Sequence, residues 1–304
     1  MTTETTPVAN PGLVPLAEVE ENVVVQDMNY NFHYERVKKP DGNPSNYFAL
    51  HYKEEQQEQW VSCKSLLTNM FTVAKTEAVI AQIQESLDGN IENESHFRSG
   101  ASVKSSFTLS GYQIDVEPES EVDLILFKLI TNIDADTEMI SSAGLTFNLI
   151  NGFSGNHALS LAFGLLKTMS TQVGDDTKIV PINNVFLLDS FTKRLIHDNH
   201  LSISIEDVTN VQQAIQTRIN SYKSQMFTTA IMDEIIEKLP KKFGKKFIAL
   251  FDNLPEPLRN FYYVTYIFSV LLDGERNIAL EIKLKSMISE MVEPLITATN
   301  AVEA

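Results

Sequence analysis

Two stretches of this chain set aromatic rings beside cations, the combination that holds a single nucleic-acid strand, with bases on rings and phosphates on ammonium or guanidinium groups. The first runs through Tyr30, Phe32, Tyr34, Arg36, Lys38 and Lys39 and resumes at Tyr47, Tyr52, Lys53 and Trp60. Met28, Tyr30, Phe32 and Tyr34 alternate with Asn29, Asn31, His33 and Glu35, the two-residue period of a half-buried strand. Alternation lets rings and charges share one face; the competing reading makes one face core, with Tyr47 and Tyr52 filling its rim. The second stretch, KLPKKFGKKF at 238–247, holds five lysines and two phenylalanines. At about 100° per residue, Phe243, Phe247, Leu250 and Phe251 fall on one side of a helix and Lys241, Lys242, Lys245 and Lys246 on the other. That pattern reads as a solvated lysine face over a core stripe, with contact to a phosphate backbone as its functional alternative.

Other clusters carry less chemistry. His197 and His200, next to Lys193 and Arg194, are the densest set of metal-ligating types, but the only cysteine, Cys63, is remote in sequence and four ligands are not in view. Asp134/Asp136 and Asp175/Asp176 sit in turn-like stretches where aspartate is ordinary. Asp233, Glu234 and Glu237 lie on the polar side of an amphipathic segment, where paired carboxylates lack the burial that would separate their roles. Gly152, Ser154 and Gly155 lack the Gly-x-Ser-x-Gly spacing of a nucleophile elbow and join strand to strand. No phosphate-binding glycine loop and no His-Glu-x-x-His segment occurs. The expectation is a protein that is not an enzyme, with no metal and no cofactor.

The totals bound the rest. With 304 residues and 43% hydrophobic side chains the chain is long enough for a buried core. A formal net charge of −16 argues against coating duplex DNA through a general basic surface, though it permits a local basic groove. The richest apolar window, 261–272, is shorter than a membrane span needs. The start MTTETTPVANPG shows neither a basic nor an apolar leader region, and a single cysteine fits a reducing compartment. The expected location is the cytoplasm, with no membrane partner.

Along the chain, residues 1–22 lack an apolar period and read as a flexible lead-in. A turn at 38–46, rich in Pro, Asp-Gly and Asn-Pro, joins strands at 28–35 and 47–52, and Trp60 to Cys63 read as a third strand or the entry to a helix. Thr76 reads as the N-cap of a helix ending at Asp88-Gly89. Residues 103–116 read as two strands or one strand bent at Gly111. The apolar run 124–133 is read with the strands, and LTFNLINGFSGNHALSLAFGLL at 145–166 reads as one long hairpin. From Ser204 the period becomes 3.6, with helices over 205–222, 226–238, 241–252, 256–272 and 277–296. Strands first and helices last give an α+β fold: a β-rich domain at 23–200 with antiparallel sheet, and a helical domain at 201–304 packed on it.

The hairpin with its turn residues Asn151, Gly152 and Gly155, the RLIHDNH step, and the run NFYYVTYIFSVLLDGERNIALEIKLKSMI resemble a phage- and plasmid-encoded domain family of unknown function, over residues 140–290. The resemblance implies a phage origin and supplies no catalytic residues. The expected function is single-stranded nucleic-acid binding, or an accessory role in recombination or replication, through Tyr30 to Lys53 with the lysine helix as a second contact. The alternative is a phage interaction or assembly protein whose acidic surface meets a host or phage protein; a homo-oligomer is compatible with either.

Overall fold

The computed structural model describes residues 12–302 apart from 117–119, 135–139, 156–158, 174, 185–192, 195, 198–199, 202 and 274–276. The chain begins with β1 (Leu13–Pro15), then a meander of β2 (Asn22–Asp27), β3 (Tyr30–Lys38), β4 (Pro44–Glu54) and β5 (Val61–Thr68). β6 (Thr72–Ala74) returns to pair with β1, so the lead-in expected over 1–22 is structured from Gly12 onward, with Leu16 fully buried. Next come α1 (Thr76–Leu87), β7 (Ile91–Ser99), β8 (Ser102–Gln113), α2 (Ser120–Thr131), and the long hairpin β9 (Ile140–Gly152) and β10 (Ser160–Val173). β11 (Asp176–Asn184) follows, then the two-residue strands β12 (Lys193–Arg194), β13 (Ile196–His197) and β14 (His200–Leu201). Five helices end the chain: α3 (Ile205–Ser224), α4 (Thr229–Lys238), α5 (Lys241–Asp252), α6 (Phe261–Asp273) and α7 (Ile278–Val302). The fold is α+β, with antiparallel sheets first and helices last.

Two sheets carry the architecture, one in the order β2-β3-β4-β5 and a larger one in the order β11-β10-β9-β8-β7, with β12 also on β10. The inward face of the large sheet, carrying Phe107, Phe147, Phe163, Leu149 and Leu165, forms the main core with side chains of α1, α3, α5 and α6. A second core lies between the small sheet and the tip of the β9–β10 hairpin. The expected boundary at residue 200 therefore cuts through the main core, which joins Phe107 and Phe147 to Ile215 and Phe268.

Two elements escape the sequence pattern. The run 124–133 lies largely in α2, not a strand: apolar on all sides, it has no readable period, but Glu121 and Asp123 in the first turn and Lys128 in the last suit a helix dipole. The strand β11, with Pro181 on its outer edge position, lay hidden behind the turn-like Asp175-Asp176.

The hairpin tip locks the cores together. Phe153 stacks on Phe32 at 3.8 Å with 4° between the rings, and the Tyr34 hydroxyl donates to the Phe153 carbonyl at 3.0 Å. Asn151 donates to the Ala74 carbonyl at 2.7 Å and to the Thr76 hydroxyl at 3.1 Å. Gly155 closes the tip at φ +72°, and a Cβ there would meet Leu67 Cδ2 at 2.8 Å, so this turn needs glycine twice over.

At the same joint α1 is not capped by Thr76, which is its first helical residue. The carboxylate of Asp27, from the end of β2, accepts from the Glu77 amide instead. Asp27 is buried, its second oxygen has no partner, and burial raises its pKa from 3.8 to about 6, against the opposing pull of the Thr76 and Glu77 hydrogen bonds. The folded state thus holds this proton more tightly than the unfolded chain. Its contribution is intact below pH 3.8 and is lost as pH rises through about 6. Asp27→Asn keeps the acceptor and cannot ionise. Its stability relative to the parent, measured by urea unfolding, is expected to rise between pH 4 and 7 by on the order of 2–3 kcal/mol; a pH-independent difference would contradict the burial argument.

Two ion clusters tie helices to the large sheet. Lys167 on β10 pairs with Asp123 on α2, both almost wholly buried, with the ammonium 5.7 Å from the Tyr266 ring of α6. Glu281 on α7 receives Lys104 of β8 at 2.6 Å and Lys285 at 2.8 Å; burial pushes its pKa up, but the two lysines outweigh this and hold it below the usual carboxylate range. Removing one member of such a pair leaves an uncompensated charge. Lys167→Met should cost about 3–5 kcal/mol in denaturant unfolding, and Lys167→Met with Asp123→Leu should recover most of it.

Candidate nucleic-acid interface

The period-two reading of β3 and β4 holds, and the pairing register decides which residues share a face. Across the sheet, Val25, Phe32 and Tyr52 align, as do Val23, Tyr34 and Leu50. This face turns onto the hairpin tip: Phe32 and Tyr34 are both 0% exposed. They are core residues and not the base-stacking contacts expected of them, because stacking on Phe153 and the Tyr34 hydrogen bond leave no room for a ligand. Tyr30 and Tyr52 lie at the rim of the same inner face, half-buried, with the Arg98 guanidinium over both rings at 4.6 and 5.2 Å and tied to Glu54 at 2.9 Å. Arg36 lies over Phe48 at 4.9 Å and donates to the Val19 carbonyl, so it is a packing residue. Of the inner-face candidates, none presents an open ring.

The opposite face is the open one. His33 pairs directly with His51, Asn31 with Lys53, and Glu35 with Ala49. The two imidazoles lie 6.0 Å apart, the Trp60 ring is 5.5 Å from His33, and the Lys53 ammonium sits 5.0 Å over that indole. Trp60 is 38% exposed and Tyr47, also turned outward, is 49% exposed. Lys38 and Lys39 are exposed where the β3–β4 hairpin turns, and Lys64 is exposed on β5. Glu35 stands on this face too, its carboxylate 4.0 Å from His51. A patch of four rings with lysine at its centre and margins can stack bases and neutralise a few phosphates.

His33 and His51 escaped the sequence reading because they occupy the polar phase of the alternation. The signal was present nonetheless: the strands that supplied the aromatic candidates each carry a histidine, and only the register shows that they meet.

The lysine helix behaves as its wheel predicts. Phe243, Phe247 and Phe251 are buried in the main core, with Phe247 stacked on Phe268 at 3.9 Å, while Lys241, Lys242, Lys245 and Lys246 are exposed. These lysines occupy the first two turns of α5, where the helix dipole favours acids, so they concentrate positive potential. They are anchored in the main core, whereas the small sheet rests on the second core. The pairing of β13 and β14 brings His197 opposite His200 along the backbone, and no metal-binding cluster of three or more His, Cys, Asp or Glu occurs among the described residues. No described helix is long and apolar enough to cross a membrane.

Compared with known proteins, the chain matches no family model, no curated protein and no solved structure.

Trp60 is the only tryptophan, so its emission reports on this face alone. The exposed position predicts red-shifted emission in the native protein and efficient quenching by acrylamide. Blue-shifted emission shielded from acrylamide would mean that the outer face is covered.

Proposed function

We propose that this chain is a phage-encoded, non-enzymatic protein that binds single-stranded nucleic acid on the outer face of its small sheet, in support of replication or recombination. The phage setting rests on the resemblance of the hairpin and the C-terminal helices described above. The observation that carries the binding reading is the convergence of Trp60, His33, His51 and Lys53 on one open sheet face. Flat rings accept any base, so the surface suits a strand without sequence preference. The overall charge of −16 repels nucleic acid at long range, which calls for a short contact rather than an extended one. Lys53, Lys38, Lys39 and Lys64 supply the local cations, and Lys241, Lys242, Lys245 and Lys246 offer a separate contact for a longer strand.

Titration with oligo(dT) is expected to quench Trp60 at low salt. Roughly three phosphate contacts at about 0.7 each give a log–log salt slope of about −2. Trp60→Ala, read by anisotropy of a labelled strand, should weaken binding about tenfold or more, since a stacked base contributes about 1–3 kcal/mol. Absence of any complex at low salt would end this reading.

A second reading draws on a specific feature of the same sheet. Val24 and Leu66 are exposed on the outer face, with Val61 at the start of β5 and Met70 in the turn after it also exposed, Leu66 at 60% and Met70 at 83%. An apolar fringe of this kind fits a protein partner or a second copy of the chain in an assembly role. Concentration-dependent self-association removed by Leu66→Ser, without salt-sensitive strand binding, would favour it.

A further inference from the structure

The outer face of the small sheet is built in rows across its strands, and the middle row is titratable. Asn22, Glu35, Ala49 and Leu66 form one row, Val24, His33, His51 and Ser62 the next, and Gln26, Asn31 and Lys53 the third. His33 and His51 are therefore direct cross-strand neighbours, with ring centroids 6.0 Å apart and 36° between the rings. Both are half-buried and so remain open to protons from solvent.

The charges around the pair are mixed. Glu35 on β3 brings a carboxylate oxygen to 4.0 Å from His51 Nε2. Lys53 on β4 holds its ammonium 5.0 Å over the Trp60 ring, which is itself 5.5 Å from His33. Lys64 is exposed on β5, and β2 presents only Asn22, Val24 and Gln26, the last donating to the Glu55 carboxylate at 3.2 Å. With both imidazoles neutral, the lysines and glutamates around the pair offset one another. The sign of the centre is then set by the histidines.

Histidine is the side chain that changes charge between about pH 5 and 8. Protonation places positive charge in the middle of the rings that would stack bases, where a strand's phosphates must pass. Two imidazolium rings at this spacing repel each other, and a phosphate lying across the row relieves that cost by attracting both. Bound protons and bound strand therefore favour each other, since such coupling is reciprocal. Glu35 competes for His51, which leaves His33 as the freer phosphate contact. We propose that protonation of the His33–His51 pair regulates this face, so that strand affinity rises as pH falls through the imidazole range. Such control rests on the strand-binding reading of the same face given above.

Labelled oligo(dT) is a suitable probe because thymine has no group that titrates in this range. From pH 8 to pH 5.5 its affinity is expected to rise about tenfold, and the log–log salt slope to steepen by roughly 0.7 to 1.4, the equivalent of one or two added phosphate contacts. Calorimetry in buffers of different ionisation enthalpy should show net proton uptake on binding. The double variant His33→Gln/His51→Gln retains Asp27 and the other titrating groups of the chain; it should bind more weakly than the parent at pH 5.5, with an affinity independent of pH. Trp60 emission reads the same proton without any strand. An imidazolium beside the indole quenches it, so emission of the free protein should fall from pH 8 to 5.5 in the parent and not in His33→Gln. A complex whose affinity is equal at both pH values, or a pH response retained in the double variant, overturns the regulation and leaves the strand-binding reading standing. Absence of a complex at either pH overturns both.

Discussion

The contact between Phe153 and Phe32 is the one on which the rest of the molecule depends. It lets the turn of the long hairpin plug the inner face of the small sheet, and Tyr34 and Asn151 fix the plug with hydrogen bonds to its backbone surroundings. Because a strand sends successive side chains to opposite faces, sealing Phe32 and Tyr34 inward obliges His33 and, through the register, His51 and Lys53 to face outward. The candidate binding surface follows from this packing: it is whatever the plug leaves uncovered. Gly155 is the chain's concession to that approach, since any side chain there would strike Leu67.

Polar groups organise the remainder. The helices are joined to the large sheet by an apolar core, but Lys167 with Asp123 and Lys104 with Glu281 and Lys285 settle which helix meets which strand. Buried pairs of this kind contribute little net stability over apolar packing, while the loss of one partner leaves an uncompensated charge. Asp27 adds a titrating joint where β2, α1 and the hairpin tip meet. Among the described residues, buried side-chain atoms without a hydrogen-bond partner occur at Asp27 beside this joint, at Asp123 of the ion pair, and at Thr146, Asn148 and Asn183 on the large sheet.

Much of the architecture was legible in the residue pattern, and the limits have physical causes. The lysine helix was readable to the residue because its 3.6 period separates Phe243, Phe247 and Phe251 from the lysines without ambiguity. The hairpin was readable because β9 and β10 are long and flank a glycine turn. The candidate face was half readable: alternation defines two faces on β3 and β4, yet both carry rings, and nothing local says which is covered. That choice is made by Phe153, more than a hundred residues away, so alternation alone admits Phe32 and Tyr34 as contacts and leaves His33 and His51 in its polar phase. α2 was missed because a segment apolar on every side has no period to read.

The most direct measurement is photo-crosslinking of a 5-iodouracil-substituted single strand to the intact protein, with the adducts located by mass spectrometry. Adducts on Trp60, Tyr47, His33 or His51 are the result the account predicts. Adducts confined to other parts of the chain, or none under conditions where the strand is in excess, would contradict the claim that the uncovered face of the small sheet is the binding surface.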